Sequence, residues 1–197
     1  GTTNARGETT TNAYNAAGSL VNTTLPSGKE IAYDYDALDR LVEKSYSAGE
    51  TGVAYAYNAD GDLVSMRDAT GDSTFTYDAA GRLASYTNAF SATVGYAYNE
   101  NGEISAITYP DGKTVFYEYD ALGRMAKVTG RDGGETRYEY DAQNHVTRVT
   151  RADGSVTTAE YDALGRVGTL TNFDGAGAEV SSFAYTYDAT GNIVTET

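Results

Sequence analysis

The chain has 197 residues and a formal net charge of -14, with no Cys, no Trp, 18 Tyr, 22 Gly and only 2 Pro. That charge repels phosphate backbones and anionic lipid, which argues against nucleic acid as a partner. The lack of Cys excludes disulfides and thiolate chemistry, and no stretch approaches the roughly 18 apolar residues of a membrane-spanning helix.

Taken along the chain, one phrase recurs. It opens at Tyr14-Asn15 with Gly18 three places on, and returns at Tyr35-Asp36 with Asp39 and at Tyr57-Asn58 with Gly61. It then returns at Tyr77-Asp78 with Gly81, Tyr98-Asn99 with Gly102, and Tyr119-Asp120 with Gly123. Tyr140-Asp141 with Asn144, Tyr161-Asp162 with Gly165 and Tyr187-Asp188 with Gly191 complete the series. Successive anchor tyrosines are 21, 22, 20, 21, 21, 21, 21 and 26 residues apart. A sustained period near 21 is the mark of a repeat architecture with one supersecondary element per unit.

The residue after each anchor is always Asp or Asn, whose short side chain bonds backbone amides two residues on. Four places after the anchor stands Gly, or Asp39 or Asn144, the non-glycine types that best tolerate positive φ. This position is predicted to be a left-handed turn residue. A second punctuation falls fourteen places after the anchor, at Gly28, Gly49, Gly71, Ser91, Gly112, Gly133, Gly154 and Gly175. Asp precedes it at Asp111, Asp132, Asp153 and Asp174, and Asp-Gly between apolar runs signals a hairpin. Each unit therefore carries two turns and two strands.

The strand before each anchor alternates: Ile31, Tyr33 and Tyr35; Val53, Tyr55 and Tyr57; Val94, Tyr96 and Tyr98; Val115, Tyr117 and Tyr119. Period two puts the tyrosines on one covered face. Tyr55, Tyr96, Tyr117, Tyr138 and Tyr185 are expected to be largely buried there with the anchors. The strand after each anchor instead pairs Leu63 with Met66, Ile104 with Ile107, Val146 with Val149 and Val167 with Leu170, three apart. Either a bulge shifts the phase or both faces are partly covered. The 26-residue interval, with "FDGAGAEVSSF", is expected to place about five extra residues at the second turn.

The expected fold class is all-β: a repetitive antiparallel β-hairpin ribbon of about 17 strands. An open sheet of more than about ten strands is expected to coil, here into an arc or spiral. Residues 1–197 read as a single array of about eight repeats, truncated at both ends.

Chemistry is sparse in this pattern. Asn58, Asp60 and Asp62 have the alternating spacing of a calcium loop, but Ala69 stands where the closing glutamate belongs. His145 is the only histidine and occupies the slot held elsewhere by Arg40, Arg82, Arg124 and Arg166. A three-histidine metal site is impossible, and the acids follow the repeat with no pair standing out. No catalytic, cofactor or metal residue is expected. The recurring Arg is expected to pair with nearby acids or to bond turn carbonyls.

"YDALGR" at Tyr119–Arg124 and Tyr161–Arg166, and "YDAAGR" at Tyr77–Arg82, resemble the YD repeats of the Rhs family, over nearly the whole chain. The resemblance implies a spiralling ribbon of hairpins. In that family's polymorphic toxins and insecticidal toxin complexes it implies a hollow shell around a C-terminal toxic domain, and in teneurins and wall-associated proteins a surface scaffold. The Asp-Pro motifs of the family's autoproteolytic region are absent, since the two prolines follow Leu25 and Tyr109. No variable toxin domain is expected within residues 1–197, and the length of the array implies an arc and not a closed container. The resulting expectation is a non-enzymatic structural segment, secreted or at the surface of a bacterial cell. Its partners would be neighbouring repeats and an enclosed C-terminal toxin domain. The rival expectation is an extracellular module that binds a glycan or a cell-surface partner.

Overall fold

A computed structural model describes residues 1–47 and 49–197. The chain divides into two compact units, Gly1–Val94 and Gly95–Thr197. Every regular element among the described residues is a β-strand, nineteen in all, and every pairing described is antiparallel. Among the described residues no helix is long and apolar enough to cross a membrane.

The first unit holds β1 (Thr2–Thr3), β2 (Thr9–Tyr14), β3 (Leu20–Thr24), β4 (Glu30–Tyr35) and β5 (Leu41–Tyr46). It continues with β6 (Val53–Tyr57), β7 (Leu63–Asp68), β8 (Gly71–Tyr77) and β9 (Leu83–Thr87). β10 (Thr93–Tyr98) runs through the boundary. The second unit follows with β11 (Ile104–Thr108), β12 (Thr114–Tyr119), β13 (Met125–Thr129), β14 (Glu135–Tyr140) and β15 (Val146–Thr150). β16 (Val156–Tyr161), β17 (Val167–Phe173), β18 (Glu179–Tyr187) and β19 (Ile193–Glu196) complete it. Within each unit a strand packs only on the strands before and after it in the chain, the nearest-neighbour logic of a repeat array.

The three-apart spacing is resolved as a bulge. Tyr57 pairs with Leu63 while Ala56 pairs with Ser65, leaving Val64 as the extra residue. The same slip puts Ile104 and Ile107 opposite Tyr98 and Tyr96, and Val146 and Val149 opposite Tyr140 and Tyr138. Because one strand of each pair carries the additional residue, apolar positions three apart share the tyrosine face.

Most turns among the described residues have one form. In the turn after β3, the Leu25 amide donates to the Lys29 carbonyl and the Gly28 amide to the Leu25 carbonyl, 2.8 and 2.9 Å. The loop is a tight turn closed by a residue at positive φ, a common three-residue hairpin connection. The 20-residue interval is met by a two-residue turn, with Asp68 paired directly to Gly71.

Two expectations change. The five extra residues near "FDGAGAEVSSF" lengthen strands and not the turn: β17 and β18 have 7 and 9 residues against 5 and 6 in the preceding pair of units. The left-handed glycine there is accordingly Gly177 (φ 86°) and not Gly175. The tyrosines alternate as expected, but Tyr55, Tyr96, Tyr117, Tyr138 and Tyr185 are half-buried, because no second layer covers their face within either unit. No hydrophobic side chain among the described residues is fully buried; Thr23 and Ser73 are the buried ones.

Candidate functional site

With no apolar core to hold the hairpins, the turns after the anchors carry the specific contacts. At the turn Asp120–Arg124 the Asp120 amide donates to the Arg124 carbonyl at 2.8 Å, and Gly123 donates back to the Asp120 carbonyl at 3.0 Å. Asp120 Oδ1 accepts from the amides of Leu122 and Arg124, at 2.9 and 3.0 Å. Its Oδ2 accepts from Arg124 Nε at 2.7 Å and pairs with Nη2 at 2.6 Å. One carboxylate thus closes the turn and fixes a guanidinium. The same pairs form at Asp36–Arg40, Asp78–Arg82 and Asp162–Arg166.

These bonds favour the charged carboxylate. The guanidinium holds the Asp78 and Asp120 carboxyls below the ordinary range; for Asp36 and Asp162 the amide of the following Arg does most of this, with the guanidinium second.

Arg40, Arg124 and Arg166 also reach the next repeat. Arg124 Cζ lies 4.4 Å from the centre of the Tyr140 ring, and Nη1 donates to the Asp141 carbonyl at 3.3 Å. Arg40 does the same at Tyr57 and Asn58, 4.8 and 3.3 Å, and Arg166 at Tyr187 and Asp188, 4.4 and 3.2 Å. The anchor tyrosine answers in the other direction. The hydroxyl of Tyr140 donates to the carbonyl of Met125, the first residue of β13, at 2.7 Å. Together these groups form a clasp from one repeat to the next. A cation over an aromatic ring at an exposed site contributes about 0.5–1 kcal/mol, and the hydroxyl bond a further 0.5–1.5 kcal/mol or so.

The anchor hydroxyls of Tyr35, Tyr57, Tyr77, Tyr119, Tyr161 and Tyr187 donate to Leu20, Leu41, Leu63, Ile104, Val146 and Val167. Tyr14 closes β2 and is exposed, and Tyr98 closes β10 half-buried. Gly18, Gly61, Gly81, Gly102, Gly123, Gly165 and Gly191 have φ between 75° and 96°, while Asp39 and Asn144 stand at 60° and 70°. The structure therefore ties Tyr35, Tyr57, Tyr77, Tyr119, Tyr140, Tyr161 and Tyr187 to the preceding repeat and sets each of these glycines in a turn.

The clasp has a second chemistry. Of the three anchors followed by Asn, the first has Ser19 four places after Asn15, and the other two have an acid there: Asn58 Nδ2 donates to Asp62 Oδ2 at 3.0 Å, and Asn99 Nδ2 to Glu103 Oε2 at 2.7 Å. The donor and the acceptor have exchanged places. In the calcium-like stretch, Asn58 Oδ1 is engaged by the Asp62 amide at 2.8 Å, and no group of metal-binding side chains is assembled among the described residues. His145 fills the Arg slot with Nδ1 2.9 Å from Asp141 Oδ2 and its ring stacked 4.5 Å from that of Tyr161. Burial pushes the Asp141 carboxyl up, and hydrogen bonds from the His145 amide and ring more than offset it.

The Arg-to-Tyr contact joins residues 16 or more apart and is invisible in any single repeat. The signal that points to it is the correlation of Asp with Arg or His, and of Asn with an acid, across most of the turns after the anchors; Asn15 with Ser19 and Asp188 with Asn192 depart from it.

The RHS Repeat family profile matches residues 14–51, 57–93, 80–114, 98–135, 119–156 and 140–176. No curated protein sequence matches the chain. Among solved structures, the chain is similar to the crystal structure of TcdB2-TccC3, with a TM-score of 0.74 and 15% identity over 95% of this chain. It is also similar to the Photorhabdus luminescens Tc holotoxin pore, with a TM-score of 0.73 and 15% identity over 95% of this chain. It spans 11% of the length of each of those chains.

Proposed function

The chain belongs to the RHS Repeat family, and we propose that it is a non-enzymatic wall segment of a larger Rhs-type β-shell. In that setting the two units are consecutive stretches of one array, and the shell is a secreted or surface protein of a bacterium that encloses a toxic domain. The observation that carries this reading is the use of the repeated polar side chains. The Asp, Arg and Tyr groups that a catalytic or lectin-like site would need are turned onto the protein's own backbone and onto each other, unit after unit. A likeness in fold to part of TcdB2-TccC3 supports the same reading.

A shell has an inside, so its two faces differ in access. The chain has no Cys, and adjacent positions of β14 point to opposite faces. In the product of the full reading frame, Thr136→Cys and Arg137→Cys are therefore expected to react very unequally with a bulky maleimide-polyethylene glycol. Equal, rapid labelling at both positions would overturn the proposal.

A further inference from the structure

We propose that the first unit carries a binding site for a guanidinium group, the arginine side chain of a partner polypeptide, between the Asn58–Asp62 turn and Tyr77. The site is an empty clasp. In three clasps described above, a guanidinium lies 4.4–4.8 Å over the next anchor ring, bonds the carbonyl beside that ring and is held by a carboxylate. At Asn58–Asp62 the carboxylate is present but the guanidinium is not, because Asp62 occupies the Arg slot. No cation lies over Tyr77 among the described residues, and a cleft of about 590 Å³ opens there. Its wall includes Asp60, Asp62, Val64, Phe75, Tyr77 and the Asp78–Gly81 turn.

The acid in the slot does not by itself open such a cleft. In the Asn99–Glu103 clasp the longer Glu103 side chain reaches over the next turn, where its Oε1 lies 2.8 Å from the point a Gly123 Cβ would take. Asp62 is one methylene shorter, and the corresponding point at Gly81 has no atom within 4 Å. The vacancy therefore follows from the length of one side chain.

A guanidinium fits this place better than an ammonium or a bare metal ion. Its flat face stacks on a tyrosine ring, while its edge donates in two directions at once. Asp62 and the exposed Asp60 would accept from the edge as Asp36 and Asp120 do in their own turns, and the Asp78 carbonyl would play the part of the Asn58 and Asp141 carbonyls. The cations of the two flanking turns, Arg40 and Arg82, are already paired with Asp36 and Asp78. The chain's charge of -14 draws a cationic segment toward it. This inference does not depend on the shell reading.

The test is NMR titration of the chain with the capped tripeptides Gly-Arg-Gly and Gly-Lys-Gly and with free arginine, following the Tyr77 ring and the amides of residues 58–81. Saturable shifts there with Gly-Arg-Gly are expected, with at least five-fold weaker binding of Gly-Lys-Gly. Free arginine, which carries its own carboxylate, is expected to bind more weakly than the capped peptide. The double variant Asn58→Asp with Asp62→Arg supplies an internal guanidinium; it is expected to abolish binding while raising Tm. Asp62→Ser is expected to weaken binding at least ten-fold with Tm within about 2 °C of wild type, and this keeps the test decisive if the double variant misfolds. Equal binding of the Lys and Arg peptides, tighter binding of free arginine, unchanged binding by Asp62→Ser, or no saturable shift up to 20 mM would each overturn the proposal.

Discussion

Replacing Tyr140 by Phe removes one oxygen atom and leaves the ring beneath Arg124 in place. The lost contact is the 2.7 Å hydrogen bond to the Met125 carbonyl, which ties the end of β14 to the start of β13. Tyr140 is half-buried, so water can reach the freed carbonyl, and the expected cost is about 1 kcal/mol, without the larger penalty of a dry unpaired group. For a domain of this size that corresponds to a fall in Tm of roughly 2–4 °C. Tyr117 supplies the control: it shares the tyrosine face, but its hydroxyl has no hydrogen bond among the described residues. Tyr117→Phe is expected to leave stability within about 0.5 kcal/mol. Calorimetry gives the Tm shift. Because an array of nearest-neighbour contacts can open in parts, amide hydrogen exchange across β13–β15 locates it. Equal Tm shifts for the two substitutions, or none for Tyr140→Phe, would refute the idea that the anchors act through their hydroxyls.

Gly175 and Gly177 are glycines for different reasons, since a Cβ on Gly175 would lie 2.3 Å from the Asp153 carbonyl oxygen whereas Gly177 has open space but φ 86°. Ala at either position is expected to destabilise; Asn, which tolerates positive φ, is expected to recover most of the roughly 1 kcal/mol at 177 and none of the loss at 175, as read from urea midpoints. The lowered carboxyl of Asp120 means that the unfolded chain takes up the proton first, so its contribution is complete above the ordinary value of 3.8 and is lost as pH falls through the folded value. The difference in urea midpoint between wild type and Asp120→Asn should therefore hold steady from pH 8 to 5 and shrink toward pH 2; a difference that grows on acidification would reverse the sign. His145→Arg is expected to complete the cationic clasp over Tyr161 and to raise stability by up to about 1 kcal/mol at pH 8, seen as a higher Tm, whereas a lower Tm would show that the His stack is the better fit.

The turn positions and strand order were legible because they rest on local chemistry: Asp or Asn beside a positive-φ residue, at a fixed count. The face of the second strand was not, since one bulged residue such as Val64 breaks the period of two and leaves two readings equal. Gly175 was misplaced because counting fourteen from Tyr161 assumes strands of constant length, and β17 and β18 are longer. Tyr55 and Tyr117 alternate correctly, yet alternation tells which face is covered and not how deeply. The clasp is not legible in the sequence for another reason. Arg124 meets Tyr140 only after two strands and a turn have folded back, and the sequence records that contact as nothing more than a preferred pairing at the turn.

The central claim is that this segment is wall. Electron cryomicroscopy of the product of the full reading frame tests it most directly. The expected density shows residues 1–197 as hairpins within a continuous β-ribbon, flanked by further repeats, with one face toward an enclosed chamber. A segment standing free of any chamber, with both faces open to solvent or with its tyrosine face holding a glycan, would contradict it.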